Sequence, residues 1–223
     1  MARAILEVRD LWVGDGPGAA VQGVDFVVGP GQVLGVLGGP DAGKSRLLRC
    51  VGLDFPPTRG AVFLRGEQVS GADEERRRRL RAGRIELVHP PAPPGAHDAT
   101  VVRSRASLLG AARPRTLPVA GMRQRIQIAK ALTNRAEVLL LDEPFVGVEP
   151  DVRRRILELL DRLRREVGTA VVVASRDAGT CTDLADELVE LDEGAVVERR
   201  RAPRVLVPPV HDRHDGPAER RSA

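Results

Sequence analysis

Two short stretches of this chain carry side chains suited to phosphate chemistry. The first is Gly38-Gly39-Pro40-Asp41-Ala42-Gly43-Lys44-Ser45, which fits the pattern G-x-x-x-x-G-K-[ST]. A glycine-rich turn that runs into a helix start aims backbone N–H groups at one point, and the helix dipole favours negative charge there. Lys44 is placed to reach the β- and γ-phosphates of a nucleotide, and the Ser45 hydroxyl to face Mg²⁺, with Gly38 through Arg46 as the cradle. Of the 35 basic residues only Lys44 and Lys130 are lysine. An ammonium and a guanidinium are not interchangeable beside a phosphate, so a lysine at the motif position is informative. The second stretch is Asp142-Glu143, preceded by Val138-Leu139-Leu140-Leu141 and followed by Pro144. An acid at the end of a buried parallel strand is where a Mg²⁺-ordering carboxylate belongs, and Glu143 beside it is able to polarise an attacking water. Each stretch has a plainer reading: a glycine-rich turn that matches by chance, and a helix N-cap followed by a first-turn acid. Their presence in one chain favours the chemistry.

These side chains need particular elements to hold them. Val33-Leu34-Gly35-Val36-Leu37 has the form of a buried parallel strand and runs into the glycine loop, while residues 46–51 continue at helical spacing. Upstream, residues 4–11 alternate as an edge strand would. Residues 21–28 form a second strand with Val24, Phe26 and Val28 on one face, so a small antiparallel β-subdomain is expected beside the nucleotide. Residues 61–65, 84–88 and 170–174 read as further strands, and 188–191 with 195–198 as a hairpin turning at Asp192-Glu193-Gly194. Residues 72–81 start acidic and end in arginine, which suits an exposed helix with its dipole complemented. Further helices are expected over about 122–133, with Ile126, Ala129 and Leu132 on one stripe, and over 180–186. A longer one is expected over 151–167, with Val152, Ile156, Leu159, Leu160 and Leu163 inside. Residues 89–95 form a proline-rich loop, 96–116 are weakly patterned with one short helix around 104–112, and the tail is expected to be mobile beyond about Pro208.

The composition narrows the class. A chain of 223 residues buries a sizeable core, and one α/β domain with a small insertion is expected. With one Trp, four Phe and no Tyr, that core rests on Leu, Val, Ile and Ala. Cys50 and Cys181 lie far apart and outside any C-x-x-C. With no metal-ligand spacing and no signal peptide, both are expected to be reduced thiols in a cytosolic protein. No apolar run approaches the roughly 18 residues a membrane span needs. The net charge of +4 leaves 31 acidic residues nearly matching the basic ones, and no aromatics interleave the arginine clusters. A coding bias toward arginine explains the clusters better than a nucleic-acid partner does.

Taken in order, these features resemble an ATP-binding cassette (ABC) nucleotide-binding domain over residues 4–200. The run Gly121-Met122-Arg123-Gln124-Arg125-Ile126-Gln127-Ile128-Ala129-Lys130-Ala131-Leu132 is similar to the helix after the ABC signature, at the family's distance from Asp142. Within the family, Met122-Arg123-Gln124-Arg125, Leu87-Val88-His89, and Arg204-Val205-Leu206 with Pro208 and His211 resemble the oligopeptide-transporter and carbon–phosphorus-lyase-associated ATPases. The resemblance implies an α/β fold of the P-loop NTPase type, with a mainly parallel core sheet, an antiparallel β-subdomain and a shortened helical subdomain inserted at about 90–133. One domain covers residues 1–200, and 201–223 is a Pro/Arg-rich tail. It implies ATP and Mg²⁺ as cofactors, with Ser45 and Asp142 on the metal and Lys44 and Glu143 catalytic. It also implies a dimer with itself or another ABC subunit, and a membrane permease or phosphonate-processing complex as partner. The location implied is cytoplasmic, peripheral on the inner face of the membrane through a permease.

The chain departs from the family's pattern at several positions. Asp41 stands where the family has Gly, Asp15 where an adenine-stacking aromatic falls (Trp12 is the nearby ring), and Pro90 at the Q-loop Gln. Pro118-Val119-Ala120-Gly121-Met122 replaces Leu-Ser-Gly-Gly-Gln, Glu149 the D-loop Asp and Arg176 the switch His. The segment from Pro90 to Pro118 is shorter than the usual helical subdomain, where a transporter partner docks. Removing one preorganised transition-state donor costs about 10²–10³ in rate, and three are absent here at Pro90, Val119 and Arg176. The expected function is a subunit that binds MgATP and hydrolyses it slowly to power a transporter or enzyme complex. The alternative is a non-hydrolysing, degenerate ABC subunit that acts as a nucleotide-binding or regulatory module.

Overall fold

The computed structural model describes residues 4–18, 20–90, 128–129 and 133–202. In chain order the strands are β1 (Leu6–Val13), β2 (Val21–Val28), β3 (Val33–Leu37), β4 (Arg59–Leu64), β5 (Glu67–Gln68), β6 (Ile85–Val88), β7 (Val138–Asp142), β8 (Ala170–Ser175), β9 (Glu187–Asp192) and β10 (Ala195–Arg201). The helices are α1 (Lys44–Val51), α2 (Glu74–Gly83), α3 (Pro150–Arg162) and α4 (Ala178–Leu184).

The apolar runs read from the sequence build the central sheet. Strands β3, β7 and β8 are buried at every position, as strands covered on both faces must be. The sheet order is β10-β9-β3-β8-β7-β6, parallel throughout except for β10, which returns antiparallel along β9. Alternate side chains go to opposite layers. Leu34, Val36, Val138 and Leu140 join the layer of α1 and the first sheet, while Val33, Leu37, Leu139 and Leu141 join that of α3 and α4. The β9–β10 hairpin turns through Glu193 (φ 45°) and Gly194 (φ 84°), two positive φ values of the kind a two-residue hairpin needs. Cys50 and Cys181 are free and buried, one in each layer, and burial pushes both thiols up to about 12.

The antiparallel subdomain is also present, in the order β2-β1-β4-β5. Its first strand is not at the edge, however. β1 pairs with β2 on one side and β4 on the other. Alternation reports one buried face, which an interior strand of an antiparallel sheet shares with an edge strand. β1 bulges at Asp10 (φ 42°), and a Cβ at Gly60 would lie 2.0 Å from the Asp10 carbonyl oxygen, so only glycine fits opposite the bulge.

Two helix expectations are revised. The 151–167 segment is α-helical only to Arg162 and closes with a π turn over Leu163–Val167, ended by Gly168 at φ 76°. Ile156, Leu160 and Leu163 are buried, while Val152 and Leu159 pack at the margin. Ahead of β7, Ala129 is exposed and Ile128 is fully buried, contrary to the inward place expected for Ala129; Ile126 and Leu132 lie outside the described residues. α2 is the exposed helix expected: Asp73 caps it by accepting from the Arg76 N–H at 2.8 Å, and Leu80 is its buried residue. The proline-rich loop beyond Pro90, the 96–116 segment, most of 122–133 and the tail beyond Ala202 lie outside the described residues.

Candidate functional site

The parallel strands end at one mouth, where the C-terminal ends of β3, β7 and β8 lie side by side. The glycine loop leaves β3 there under tight constraint. A Cβ at Gly38 would lie 2.5 Å from the Leu191 carbonyl oxygen, and one at Gly43 (φ 93°) 2.0 Å from that of Ala20. The loop is thus pressed between the end of β9 and the segment before β2, and side chains are excluded at both points. No side chain caps α1 and no acid stands in its first turn. Its leading N–H groups are therefore available to an anion. Gly39, Pro40, Ser45 and Arg46 are exposed around this opening, whereas Ala42 is buried beneath it. Asp41 is exposed at φ 61°, the left-handed conformation that glycine adopts more readily.

Lys44 is only 5% exposed. Its ammonium donates to the carbonyls of Gly38 and Gly39, both at 2.7 Å, and stands 4.0 Å from Glu143 Oε1. Two of its three donors hold the loop, leaving one to aim outward. Burial lowers its pKa from the ordinary lysine range; Glu143 and Asp142 oppose that shift and Arg176 adds to it.

Asp142, at the end of β7, is 2% exposed, and its Oδ1 has no hydrogen-bond partner. Burial raises its pKa, opposed first by a hydrogen bond from the Ser45 side chain and then by the charges of Lys44, His89 and Arg176. A buried carboxylate oxygen without a donor is costly unless a cation satisfies it. A hydroxyl beside a carboxylate is an all-oxygen donor set, which suits a hard ion such as Mg²⁺. Ser45 and Asp142 therefore fit the metal expected of them.

Glu143 is 9% exposed at φ 46°. Its N–H donates to the Ala174 carbonyl at 2.9 Å, which pins the turn onto β8. A bulky residue held in the left-handed region stores about 1–3 kcal/mol and persists only where its surroundings enforce it. Oε2 accepts from Ser175 Oγ at 3.3 Å and from the Arg176 N–H at 3.4 Å. Oε1 accepts no hydrogen bond but faces Arg176 Nε at 3.5 Å. A cavity of about 440 Å³ opens beside this carboxylate, lined among others by Pro90, Ser175, Arg176, Asp177 and Thr180.

The structure thus brings Lys44, Ser45, Asp142, Glu143 and Arg176 to one mouth, with Pro90 on its rim. Val119 lies outside the described residues. Trp12 is engaged elsewhere: its indole N–H donates to Asp10 Oδ1 at 2.8 Å, and Arg59 lies over its ring. Glu149 is the N-cap residue of α3, with no side-chain capping bond.

Sequence reasoning missed Ser175 and Asp177. Asp177 caps α4, accepting from the Thr180 hydroxyl at 2.5 Å and from the N–H groups of Thr180 at 3.0 Å and Gly179 at 3.1 Å; the hydroxyl first, then these N–H groups, hold its carboxyl below the usual range. An Asp just ahead of a short helix is a readable cap signal. Ser175 donates to Glu143 and accepts from the Asp177 N–H at 3.1 Å, a partnership across 32 residues that no local pattern announces.

Comparison with known proteins follows the same outline. The family described as ABC transporter matches residues 21–92 and 102–146. The chain is 32% identical over 230 residues to a methionine import ATP-binding protein of Rhodospirillum rubrum, covering 88% of this chain and 63% of that protein. It thus spans less than two thirds of that relative's length. It is 30% identical over 239 residues to an ATP-binding protein of Escherichia coli named for phosphonates utilization, covering 95% of each. A dimeric post-hydrolysis ATP-binding cassette bound to ADP and Pi superposes with a TM-score of 0.71 at 22% identity, over 89% of this chain and 99% of that one, which shows the fold.

Proposed function

This chain belongs to the ABC transporter family, and on that premise we propose that it is a cassette subunit that binds MgATP at the mouth of β3, β7 and β8 and hydrolyses it slowly to power a transporter or an enzyme complex. One observation carries the reading. Lys44 and the Ser45–Asp142 pair converge beside an uncapped helix N-terminus, and Asp142 Oδ1 is buried without a donor. The loop from Gly38 to Arg46 offers backbone N–H groups to the phosphates, and the Lys44 ammonium supplies a fixed charge. Ser45 and Asp142 are the residues that would hold Mg²⁺, which neutralises phosphate charge when bound. Glu143 stands beside the opening, held by Ser175, where it orients a water and takes its proton.

The slow rate is inferred from the departures. Pro90 offers no amide and Val119 no hydroxyl, and Arg176 carries a guanidinium in place of an imidazole. Such losses do not add, but each removes a group from the transition state. Residues 1–200 form the cassette in this reading, and the chain works as a dimer with itself or another ABC subunit. It sits at the inner face of a membrane through a permease, or within a phosphonate-processing complex, since its relatives are named for methionine import and phosphonates utilization. Among the described residues no helix is long and apolar enough to cross a membrane.

A second reading, a regulatory subunit that binds nucleotide without turning it over, is favoured by Asp41. That carboxylate stands in the phosphate loop itself. Calorimetric titration with MgATP separates the cases. The proposal expects saturable binding that Lys44→Ala abolishes, together with a hydrolysis rate that Glu143→Gln removes. Binding with no hydrolysis above background selects the regulatory reading. Heat of binding that is absent, or indifferent to Lys44→Ala, overturns both.

A further inference from the structure

The phosphate loop is seated between two walls from distant parts of the chain. One is the segment entering β2, whose Ala20 carbonyl oxygen would lie 2.0 Å from a Cβ at Gly43. The other is the β9–β10 hairpin. Its Leu191 carbonyl oxygen would lie 2.5 Å from a Cβ at Gly38, and its Gly194 Cα 3.4 Å from one at Gly43. A loop pressed this closely keeps its shape only while the walls keep their spacing. The hairpin does not secure that spacing by itself. Its turn holds Glu193 at φ 45°, a conformation that a non-glycine residue adopts at a cost.

Gln22 joins the two walls. Val21, between Ala20 and Gln22, is fully buried and paired with Val13, so this segment is anchored in the first sheet. The Gln22 backbone N–H donates to the Gly194 carbonyl and its side-chain amide to the Glu193 carbonyl, both at 2.8 Å. Both carbonyls of the two-residue turn are thus held by one residue of the opposite wall. Farther along both strands, β2 and β10 are stitched a second time: Arg199 donates to the Asp25 carbonyl and pairs with Glu187 at 3.2 Å.

We propose that Gln22 is a positioning residue for phosphate binding: it fixes the β9–β10 turn against the start of β2 and so keeps the Gly38–Ser45 loop preset for a nucleoside di- or triphosphate. The inference rests on the reading of the site given above. A loop held in its bound shape in advance spares the nucleotide the cost of ordering it. The frame acts on the loop as a whole, so a diphosphate and a triphosphate gain alike. Glu143 stands on the other side of the mouth, so the frame governs binding and leaves turnover of the bound nucleotide alone.

The Gln22→Met variant of the full chain tests this, because it keeps length and neutrality while removing the amide donor. Mg²⁺ with ADP, and with the non-hydrolysable β,γ-imido analogue of ATP, should each bind about fivefold more weakly, the scale of one neutral hydrogen bond. Amide hydrogen exchange should quicken over residues 38–47 and 193–195 and stay unchanged in β7 and β8. In steady-state hydrolysis KM should rise by the same factor with kcat kept. Arg199→Ala serves as the control: it cuts the other stitch, so it should lower the melting temperature yet change nucleotide binding less than about twofold. Unaltered binding and loop exchange in Gln22→Met, an equal loss of binding in Arg199→Ala, or a fall in kcat with KM kept overturns the positioning role. Failure of the unmodified chain to bind either nucleotide would instead overturn the reading of the site.

Discussion

The two banks of the mouth are built differently. On the β3–α1 bank, backbone contacts dictate the residues: a Cβ at Gly38 or Gly43 would collide with carbonyls of Leu191 or Ala20, and Lys44 is buried against the loop it holds. On the β7–β8 bank, side chains meet in a cavity open to solvent that Arg176 helps to line, and among the described residues no backbone group depends on the Arg176 guanidinium. Gly38 and Gly43 cannot take a side chain without rebuilding the loop. The second bank can change one side chain at a time while the sheet stays as it is. The proposed reading is consistent with this: the loop keeps its glycines at 38 and 43 and Lys44, while the departures at Pro90 and Arg176 lie on the second bank. In the proposed reading, phosphate is held mainly by the loop, and turnover depends on a few replaceable side chains.

That contrast can be tested from either side. The largest effect is expected at Glu143. Glu143→Gln should lower hydrolysis by about 10²-fold or to background without weakening nucleotide affinity, as steady-state rates and titration would show. Loss of affinity in place of rate would mean that Glu143 itself holds the nucleotide. Asp142→Asn should have a mixed effect. A buried carboxylate whose Oδ1 lacks a donor destabilises the free protein, so the amide should raise its stability by about 1 kcal/mol in thermal denaturation while abolishing the Mg²⁺ dependence of ATP binding. A fall in stability would mean that Asp142 serves the fold more than the metal. The smallest effect is expected at Asp41. Asp41→Gly removes a negative charge from the loop and a left-handed non-glycine residue, so MgATP should bind about threefold more tightly, while Asp41→Asn separates the charge from the backbone contribution.

Much of this was legible in the sequence because it is local. The strand–loop–helix order around Lys44, the apolar run into Asp142 and the β9–β10 hairpin are each set by neighbours in the chain, and each lies where the pattern places it. What was not legible depends on partners far along the chain. Alternation in 4–11 could not tell that β4 pairs on the far side of β1, and a three-residue stripe placed Ala129 inward where Ile128 is buried. The clasp of Ser175 on Glu143, and the reach of Arg176 back to the same carboxylate, exist only because β7 and β8 are neighbours in the sheet.

The central claim is that one bank works while the other is impaired, and it is tested most directly by measuring affinity and turnover for MgATP on the same unmodified preparation. The account predicts saturable binding together with hydrolysis slower than about 0.1 s⁻¹, below the roughly 1–10³ s⁻¹ of ordinary enzymes. Turnover within that ordinary range, or no binding at all, would contradict it.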